Sequence, residues 1–542
     1  MFGAGGGTNS YREIEETDLI ILWGSNARET HPIFFHHVLK GVRNGARLVV
    51  VDPRRTVTAQ WADAWLGLNV GTDIELSNAI AHEILASGVQ HQAFIDSATT
   101  GFEAYRASVA EYTPERAEKV TGIPAEVIRS LARDYASAKN AIICWTLGIT
   151  EHHNAVDNVF ALINLALLTG HVGRYASGLN PLRGQNNVQG GGDMGAIPDR
   201  LPGFQSVEND ELRGKFEKAW GVKIPPRRGW RLNEMFEAMD RGELRSLYVI
   251  GENPAASEAD RAHAEHLLSE LDLLVVQDLS MTHTAQLAHV VLPAAAGWCE
   301  SEGTVTNSER RVQRVRKVVE PPAGARDDID IVCDVARRLG HDWGHPSAED
   351  LWNELRTLSP MHAGMTYRRL EEHKGLQWPC YDEQHAGELF LHGRLWENPV
   401  RGPRAPFNVV VQEPPVDEVT AEYPLLLTTG RRLESFNTGV QSGMYSSPLH
   451  RGESIDLSPE DAALLGLVDG ESVRISSRRG SIVAPVRIDR SLRQGLTFMT
   501  FHFDIATNML TIEAADPKSG TAEFKASAIR IDKLAPVASA GE

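Results

Sequence analysis

The sequence predicts an α/β protein: two pseudo-repeated doubly wound parallel-sheet domains followed by a C-terminal β-barrel domain. Three observations predict this. A strand, helix, strand pattern near the N-terminus returns from residue 246 onward, and both copies close on the same residue types. The last part of the chain reads as short strands separated by glycine turns.

In the first copy an apolar run over 18–23 ends in Gly24-Ser25-Asn26, a helical stretch covers 31–44, and the apolar run 47–51 ends in Asp52-Pro53-Arg54-Arg55-Thr56. In the second copy residues 246–250 end in Gly251-Glu252-Asn253, a helix covers about 258–269, and a strand over 271–276 leads to Asp278-Leu279-Ser280-Met281-Thr282. Both read Gly-x-Asn and then Asp-x-x-x-Thr. In a doubly wound sheet ligands lie beyond the carboxyl ends of the strands, where these polar residues fall. Between the copies come a long helix at 157–168 and a loop at 170–195 rich in Gly, Asn and Gln, a composition that carries function more often than packing.

After Glu300 the pattern turns irregular through about Pro415, and the Pro-Pro pair at 414–415 reads as a linker. Short strands at 423–428, 472–476, 481–488 and 497–501, divided by Asp-Gly, Arg-Gly and Gln-Gly turns, make the barrel. The expected domains are 1–185 and 186–345 for the α/β halves, 346–417 for an irregular connecting segment and 418–542 for the barrel.

With 542 residues the chain exceeds a single core, and a hydrophobic fraction of 42% with 23% charged residues is that of a globular protein. A net charge of −18 disfavours a nucleic-acid partner, because phosphate binding depends on clustered Lys and Arg. No apolar run suits membrane insertion, and no signal segment opens the chain. Cys144, Cys299, Cys333 and Cys380 lie far apart, with no pair spaced for zinc or an iron–sulfur cluster. They read as thiols in a reducing compartment, so the expected location is cytoplasmic.

Gly24-Ser25-Asn26 after a strand lets backbone approach a phosphate, and Asp52 can accept from a ribose hydroxyl. The full dinucleotide fingerprint is missing, and the glycines at 3, 5, 6 and 7 precede the strand, so a doubly wound domain without nucleotide is the equal alternative. The duplicate at Gly251, Asn253 and Asp278 favours two bound nucleotides. Pro181-Leu182-Arg183-Gly184-Gln185-Asn186-Asn187 sets a guanidinium beside three amides, which suits a small carboxylate. The competing reading is a turn-rich loop whose amides satisfy backbone groups. His36-His37 and His152-His153 are poor metal pairs, because neighbouring helical residues point about 100° apart. Glu302-Gly303-Thr304 with Asn307, Glu309, Arg310, Arg311 and Gln313 is a dense polar string, and Thr428-Thr429-Gly430-Arg431, His502 and Asn508 form another set of donors. Both sets also read as ordinary loops.

Taken together these strings resemble the molybdopterin-dependent formate dehydrogenase α subunits of the dimethyl sulfoxide reductase superfamily. The resemblance runs over the whole chain and adds Glu29-Thr30-His31-Pro32, Gly71-Thr72-Asp73, Asp193-Met194-Gly195, Gln277-Asp278 and the stretch 502–511 to the strings above. It implies a molybdenum or tungsten centre carried by two molybdopterin guanine dinucleotides, one on each half. The residues it assigns to them are Gly24, Ser25, Asn26, Glu29, Asp52, Arg54, Gly71, Asp73, Gly251, Asn253, Gln277, Asp278, Thr282, Thr429, Gly430, Arg431, His502, Asn508 and Lys525. Arg183 and Gln185 become the catalytic pair, with Arg183 binding formate.

The implied reaction is oxidation of formate to carbon dioxide, with electrons leaving toward iron–sulfur, flavin- or NAD-linked partner subunits or domains. The resemblance also implies a 4Fe-4S domain and a cysteine or selenocysteine metal ligand ahead of the segment that begins at Gly3, so no metal ligand is expected within this chain. A selenocysteine codon read as a stop, with restart at Met1, is one account of that start point, and a naturally split enzyme is the other. The alternative function is a non-catalytic pterin-nucleotide-binding fragment or subunit.

Overall fold

The computed structural model describes residues 2–3, 5–433, 452–501 and 506–534. They form two compact units, each assembled from three separate stretches of chain. One comprises Met1–Ile14, Val172–Glu252 and Leu267–Arg401, and the other Glu15–His171, Asn253–His266 and Gly402–Glu542. A reading in consecutive blocks does not express that interleaving.

In the second of these units, strands Ala64–Leu66, Arg47–Val51, Leu19–Trp23 and Ala141–Trp145 lie side by side in that order, all parallel. Leu19–Trp23 and Ala141–Trp145 are apolar and buried at every residue. That is what a parallel strand covered on both faces requires. The helix Pro32–Arg43 starts with Pro at its first turn, where no N–H is needed, and turns Phe34, Phe35, Val38 and Gly41 inward. Helices Asp73–Ala86 and Ala155–Thr169 are buried on most sides, which accounts for their weak amphipathic pattern.

The same unit holds the barrel, and it is closed. Its strand order is Leu425–Gly430, Leu496–Thr500, Ile455–Leu457, Ser481–Ile488, Ser472–Ser476 and Ser527–Lys533. Leu427, Ile455, Leu457, Val473, Ile475, Met499 and Ile529 fill its interior. Closure leaves no unpaired edge. Two of the six strands, Ile455–Leu457 and Ser527–Lys533, were not expected from the sequence.

In the first unit, strands Ser246–Ile250, Leu273–Asp278 and Val290–Pro293 form the second parallel sheet. The polar string after Glu302 is a hairpin of Gly303–Thr306 against Arg311–Val315, extended by Leu376–Gln377. The stretch expected to be irregular contains helices Ala348–Leu358 and Tyr367–Glu372. The first opens on a capping box in which Ser347 and Asp350 satisfy each other's backbone N–H groups, a start signal that the surrounding loops obscured. Trp352, Tyr367, Leu370 and Leu391 pack beneath the hairpin.

Arg310, in the left-handed region at φ 68, stands at the hairpin turn and is fully buried. Its guanidinium donates from Nε to Gly7 O at 2.7 Å, from Nη1 to Trp378 O and to Glu388 O at 3.1 Å, and from Nη2 to Leu389 O at 2.7 Å. One cation thus ties three remote stretches of this unit. Lysine carries three donors on a flexible stem and cannot reproduce the fork. Arg310→Lys should destabilise the protein by about 3 kcal/mol, since hydrogen bonds to a charged group contribute about 1.5–3 kcal/mol each. A thermal melt within 1 °C of the parent (about 1 kcal/mol at this size) would refute that role for Arg310.

Candidate functional site

The polar residues at the strand ends of the Leu19–Trp23 sheet form a cradle. Gly24 adopts φ 57 directly after its strand, and a Cβ there would lie 2.8 Å from the carbonyl carbon of Gly148, so only glycine fits. Asn26 donates from Nδ2 to Glu29 at 2.6 Å and accepts from Thr58 at 2.8 Å. Asp52 accepts from the Arg54 N–H at 2.9 Å, and Asp73 accepts from Trp23 Nε1 at 2.7 Å. Gly71 gives its carbonyl to Gln412 Nε2 at 2.7 Å. The Arg54 guanidinium lies over Phe498, 3.6 Å from the ring centre.

Chain from the barrel completes this cradle. Lys525 Nζ meets Glu151 at 2.6 Å and donates to Thr429 O at 3.1 Å. Glu523 accepts from the N–H groups of Lys525 at 2.8 Å, Ala526 at 3.1 Å and His153 at 3.1 Å, and it faces His152 Nδ1 at 3.3 Å. Against burial, which alone would raise it, His152 and these donors hold the Glu523 carboxyl well below the usual carboxylate range. Asn508 donates to Ala256 O at 3.3 Å and to Ser257 O at 3.1 Å. Ser25 Oγ, Arg431 Nε and Asn508 Oδ1 are among the buried polar atoms that find no hydrogen-bond partner among the described residues. Buried polar atoms rarely stay unpaired unless a ligand or water meets them. Gly430 closes the strand beside Phe498, and His502 lies outside the described residues.

The second copy repeats this backbone atom for atom. Gly24 N donates to Val51 O and Gly251 N to Gln277 O, both at 2.8 Å, and Gly251 also has positive φ, 64. Asp278 accepts from the Ser280 N–H at 3.0 Å as Asp52 does from Arg54. Thr56 accepts from Ala59 N at 3.3 Å and Thr282 from Ala285 N at 3.1 Å. Asn26 and Asn253 each precede a one-turn helix, Ala27–Thr30 and Pro254–Ser257. Gln277 is fully buried, accepting from Tyr248 and donating to Asp328. The duplication read from the sequence is therefore a duplication of geometry.

Arg183 belongs to the first unit and is half-buried. Its Nε donates to Gln189 Oε1 at 3.2 Å, its Nη2 to Gly5 O at 3.1 Å, and its backbone N–H to Ser308 at 2.8 Å. Gln185 is exposed two residues on. Asp193 accepts from Gln189 Nε2 at 2.9 Å and Trp378 Nε1 at 2.8 Å. Burial pushes its carboxyl up to about 6, against those donors and the charges of Arg183 and Arg310. Nothing in the sequence named Gln189 or Trp378, although Gln189 and Asp193 share one face of the helix that follows the arginine loop. His37 pairs with Glu15 at 2.6 Å and His36 is exposed, so that pair does not converge.

Burial likewise pushes the Asp52 carboxyl up to about 6, while Arg54 pulls it down. A carboxyl whose folded value lies above its ordinary 3.8 binds its proton more tightly in the native state. The stability it confers is complete below 3.8 and is lost as pH rises through about 6. The cofactor-free chain should melt lower at pH 7.5 than at pH 5, and Asp52→Asn should flatten that difference, leaving the share due to Asp193. Identical pH slopes for the two proteins would remove Asp52 as a cause.

Comparison with known proteins places these features in context. The family described as Molybdopterin oxidoreductase matches residues 3–338, and the Molydopterin dinucleotide binding domain matches residues 425–528. The F420-dependent formate dehydrogenase subunit alpha of Methanocaldococcus jannaschii is 40% identical over 98% of this chain and 79% of its own length. Formate dehydrogenase H of Escherichia coli is 38% identical over 98% of this chain and 75% of its own. Among solved structures, acetylene hydratase from Pelobacter acetylenicus shares the fold, with a TM-score of 0.76 at 20% identity over 98% of this chain and 80% of that one.

Proposed function

The chain belongs to the molybdopterin oxidoreductase family, and from that premise we propose that it is the catalytic α subunit of a formate dehydrogenase, oxidising formate to carbon dioxide, a proton and two electrons. The observation that carries the reading is the anchored Arg183 in a chain so similar to formate dehydrogenases from end to end. The chain is a molybdopterin-binding protein. Two molybdopterin guanine dinucleotides, one per repeated half, are supported by the matching geometry of Gly24, Asn26 and Asp52 with Gly251, Asn253 and Asp278.

The cradle fits such a group. Ser25, Arg431 and Asn508 keep buried polar atoms that ribose, phosphate and guanine can satisfy, and Arg54, Lys525 and Thr429 stand beside them. When bound, the pterin-held metal, molybdenum or tungsten, supplies the redox chemistry that takes up two electrons. The protein's own part is positioning. A guanidinium engages both oxygens of a carboxylate, and formate's hydrogen lies on the opposite side of carbon. Arg183 therefore turns the C–H bond away from itself and fixes its direction. Gln185 is the second polar side chain of the loop and belongs to the same pocket in this reading.

Electron-transfer subunits, iron–sulfur, flavin- or NAD-linked, are the partners this reading requires, with a 4Fe-4S cluster as first acceptor. No described helix is long and apolar enough to cross a membrane. The four cysteines are free thiols, which supports a cytoplasmic site.

In a form that also carries the metal ligand and cluster the resemblance implies, Arg183→Ala should lower formate turnover about 10²–10³-fold, as loss of one preorganised donor does. Metal and pterin contents should stay at the parent level, with two pterin nucleotides per chain. Unchanged kcat/KM would remove formate from the assignment, and loss of metal would reassign Arg183 to cofactor binding.

A further inference from the structure

An amide holds the Nε of Arg183. Gln189 is 2% exposed and Asp193 1%, so neither side chain has water to relax into. The amide works in two directions at once: Oε1 accepts from Arg183 Nε at 3.2 Å, while Nε2 donates to Asp193 Oδ1 at 2.9 Å and to Gly5 O at 3.0 Å. Because Arg183 Nη2 also donates to Gly5 O, at 3.1 Å, the arginine and the amide are pinned to a common carbonyl.

That arrangement is chemically selective. A carboxylate at position 189 could accept from the arginine but could not donate to Asp193 or Gly5, and an aliphatic residue could do neither. A carboxylate directly on the guanidinium would also neutralise the charge that a substrate carboxylate needs. The amide passes orientation from Asp193 to Arg183 without itself placing a negative charge on the guanidinium. Behind it, Asp193 is fixed by Trp378 Nε1 at 2.8 Å and lies near the buried Arg310.

The glycines at 5, 6 and 7, which made no nucleotide fingerprint, acquire a reason here. A Cβ on Gly5 would lie 2.6 Å from the Phe204 ring, one on Gly6 would lie 3.0 Å from Arg310 and from Trp378, and one on Gly7 3.0 Å from Ser308 O. The strip has no room for side chains where it passes the arginine loop. Its closeness is what brings the Gly5 carbonyl within reach of both Arg183 and Gln189.

We propose that Gln189, backed by Asp193 and the Gly5 carbonyl, is a positioning residue that sets the plane of the Arg183 guanidinium, and thereby the pose of the small carboxylate substrate. This rests on the reading of Arg183 as the formate anchor. Gln189 touches no reacting atom and acts only through the arginine.

The test is a double-mutant cycle on the cofactor-loaded protein, using Gln189→Met, which keeps the length and removes the hydrogen bonds, and Arg183→Lys, which removes the Nε donor. Formate affinity is read by 13C line broadening without an electron acceptor, and KM and kcat are read separately in steady state. Gln189→Met should weaken formate binding about tenfold with a parent-like melt and cofactor content, raising KM by a similar factor. In the Arg183→Lys background the same change should add less than twofold, because the interaction it removes is already gone. Multiplying effects would mean that Gln189 serves the fold generally, and an unchanged affinity in Gln189→Met would mean that it serves nothing here; either overturns the proposal. If Arg183→Lys alone leaves formate affinity intact, the functional reading itself fails, and this inference with it. Should Gln189→Met not accumulate, Asp193→Asn replaces it, since Gln189 and Trp378 donate to different oxygens of Asp193 and asparagine puts an N–H donor in place of one of them, and the same non-additivity with Arg183→Lys is expected.

Discussion

A charge taken out of water has to be answered by fixed partners, and that constraint organises both units. In one, Asp73 is met by Trp23, Glu523 by two histidines and backbone N–H groups, Lys525 by Glu151, and Arg54 by an aromatic face. In the other, four backbone carbonyls answer Arg310 and an amide answers Arg183. Where the protein's own groups are satisfied, they build. Ser25 Oγ, Arg431 Nε and Asn508 Oδ1 are among the buried polar atoms that the described residues leave without a partner.

The repeat shows how little side-chain chemistry a strand-end cradle needs to reproduce itself. What recurs is a glycine with positive φ hydrogen-bonded across to the next strand, an asparagine before a one-turn helix, an aspartate closing its own turn, and a threonine hydroxyl accepting the N–H three residues on. These are backbone devices, and the residue types follow from the conformations they allow. The side chains around them differ: Arg54 and Phe498 serve one copy, Tyr248 and Gln277 the other.

Such devices are local, which is why they were legible in the sequence. Strands Arg47–Val51, Ser246–Ile250, Ser472–Ser476 and Ser481–Ile488 begin and end where the sequence placed them, and the Gly-x-Asn and Asp-x-x-x-Thr strings fall at the strand ends as expected. Pairings between remote residues were not legible. Nothing near Asp193 announces Trp378, nothing near His152 announces Glu523, and Ile455–Leu457 is too short to leave a period. The Gly5 to Gly7 run was visible and its purpose was not, because close approach depends on which side chains lie opposite.

The interleaving of the two units also orders events in time. Asp52 and Arg54 leave the ribosome early, but Phe498, Glu523 and Lys525 are made about 450 residues later, and the barrel cannot close before the strand Ser527–Lys533 exists. At about 5–20 residues per second the nascent chain spends roughly 20–90 s with its first strand-end charges still in water. A chain interrupted before Phe498 therefore carries its first strand-end charges without the partners that finish the cradle.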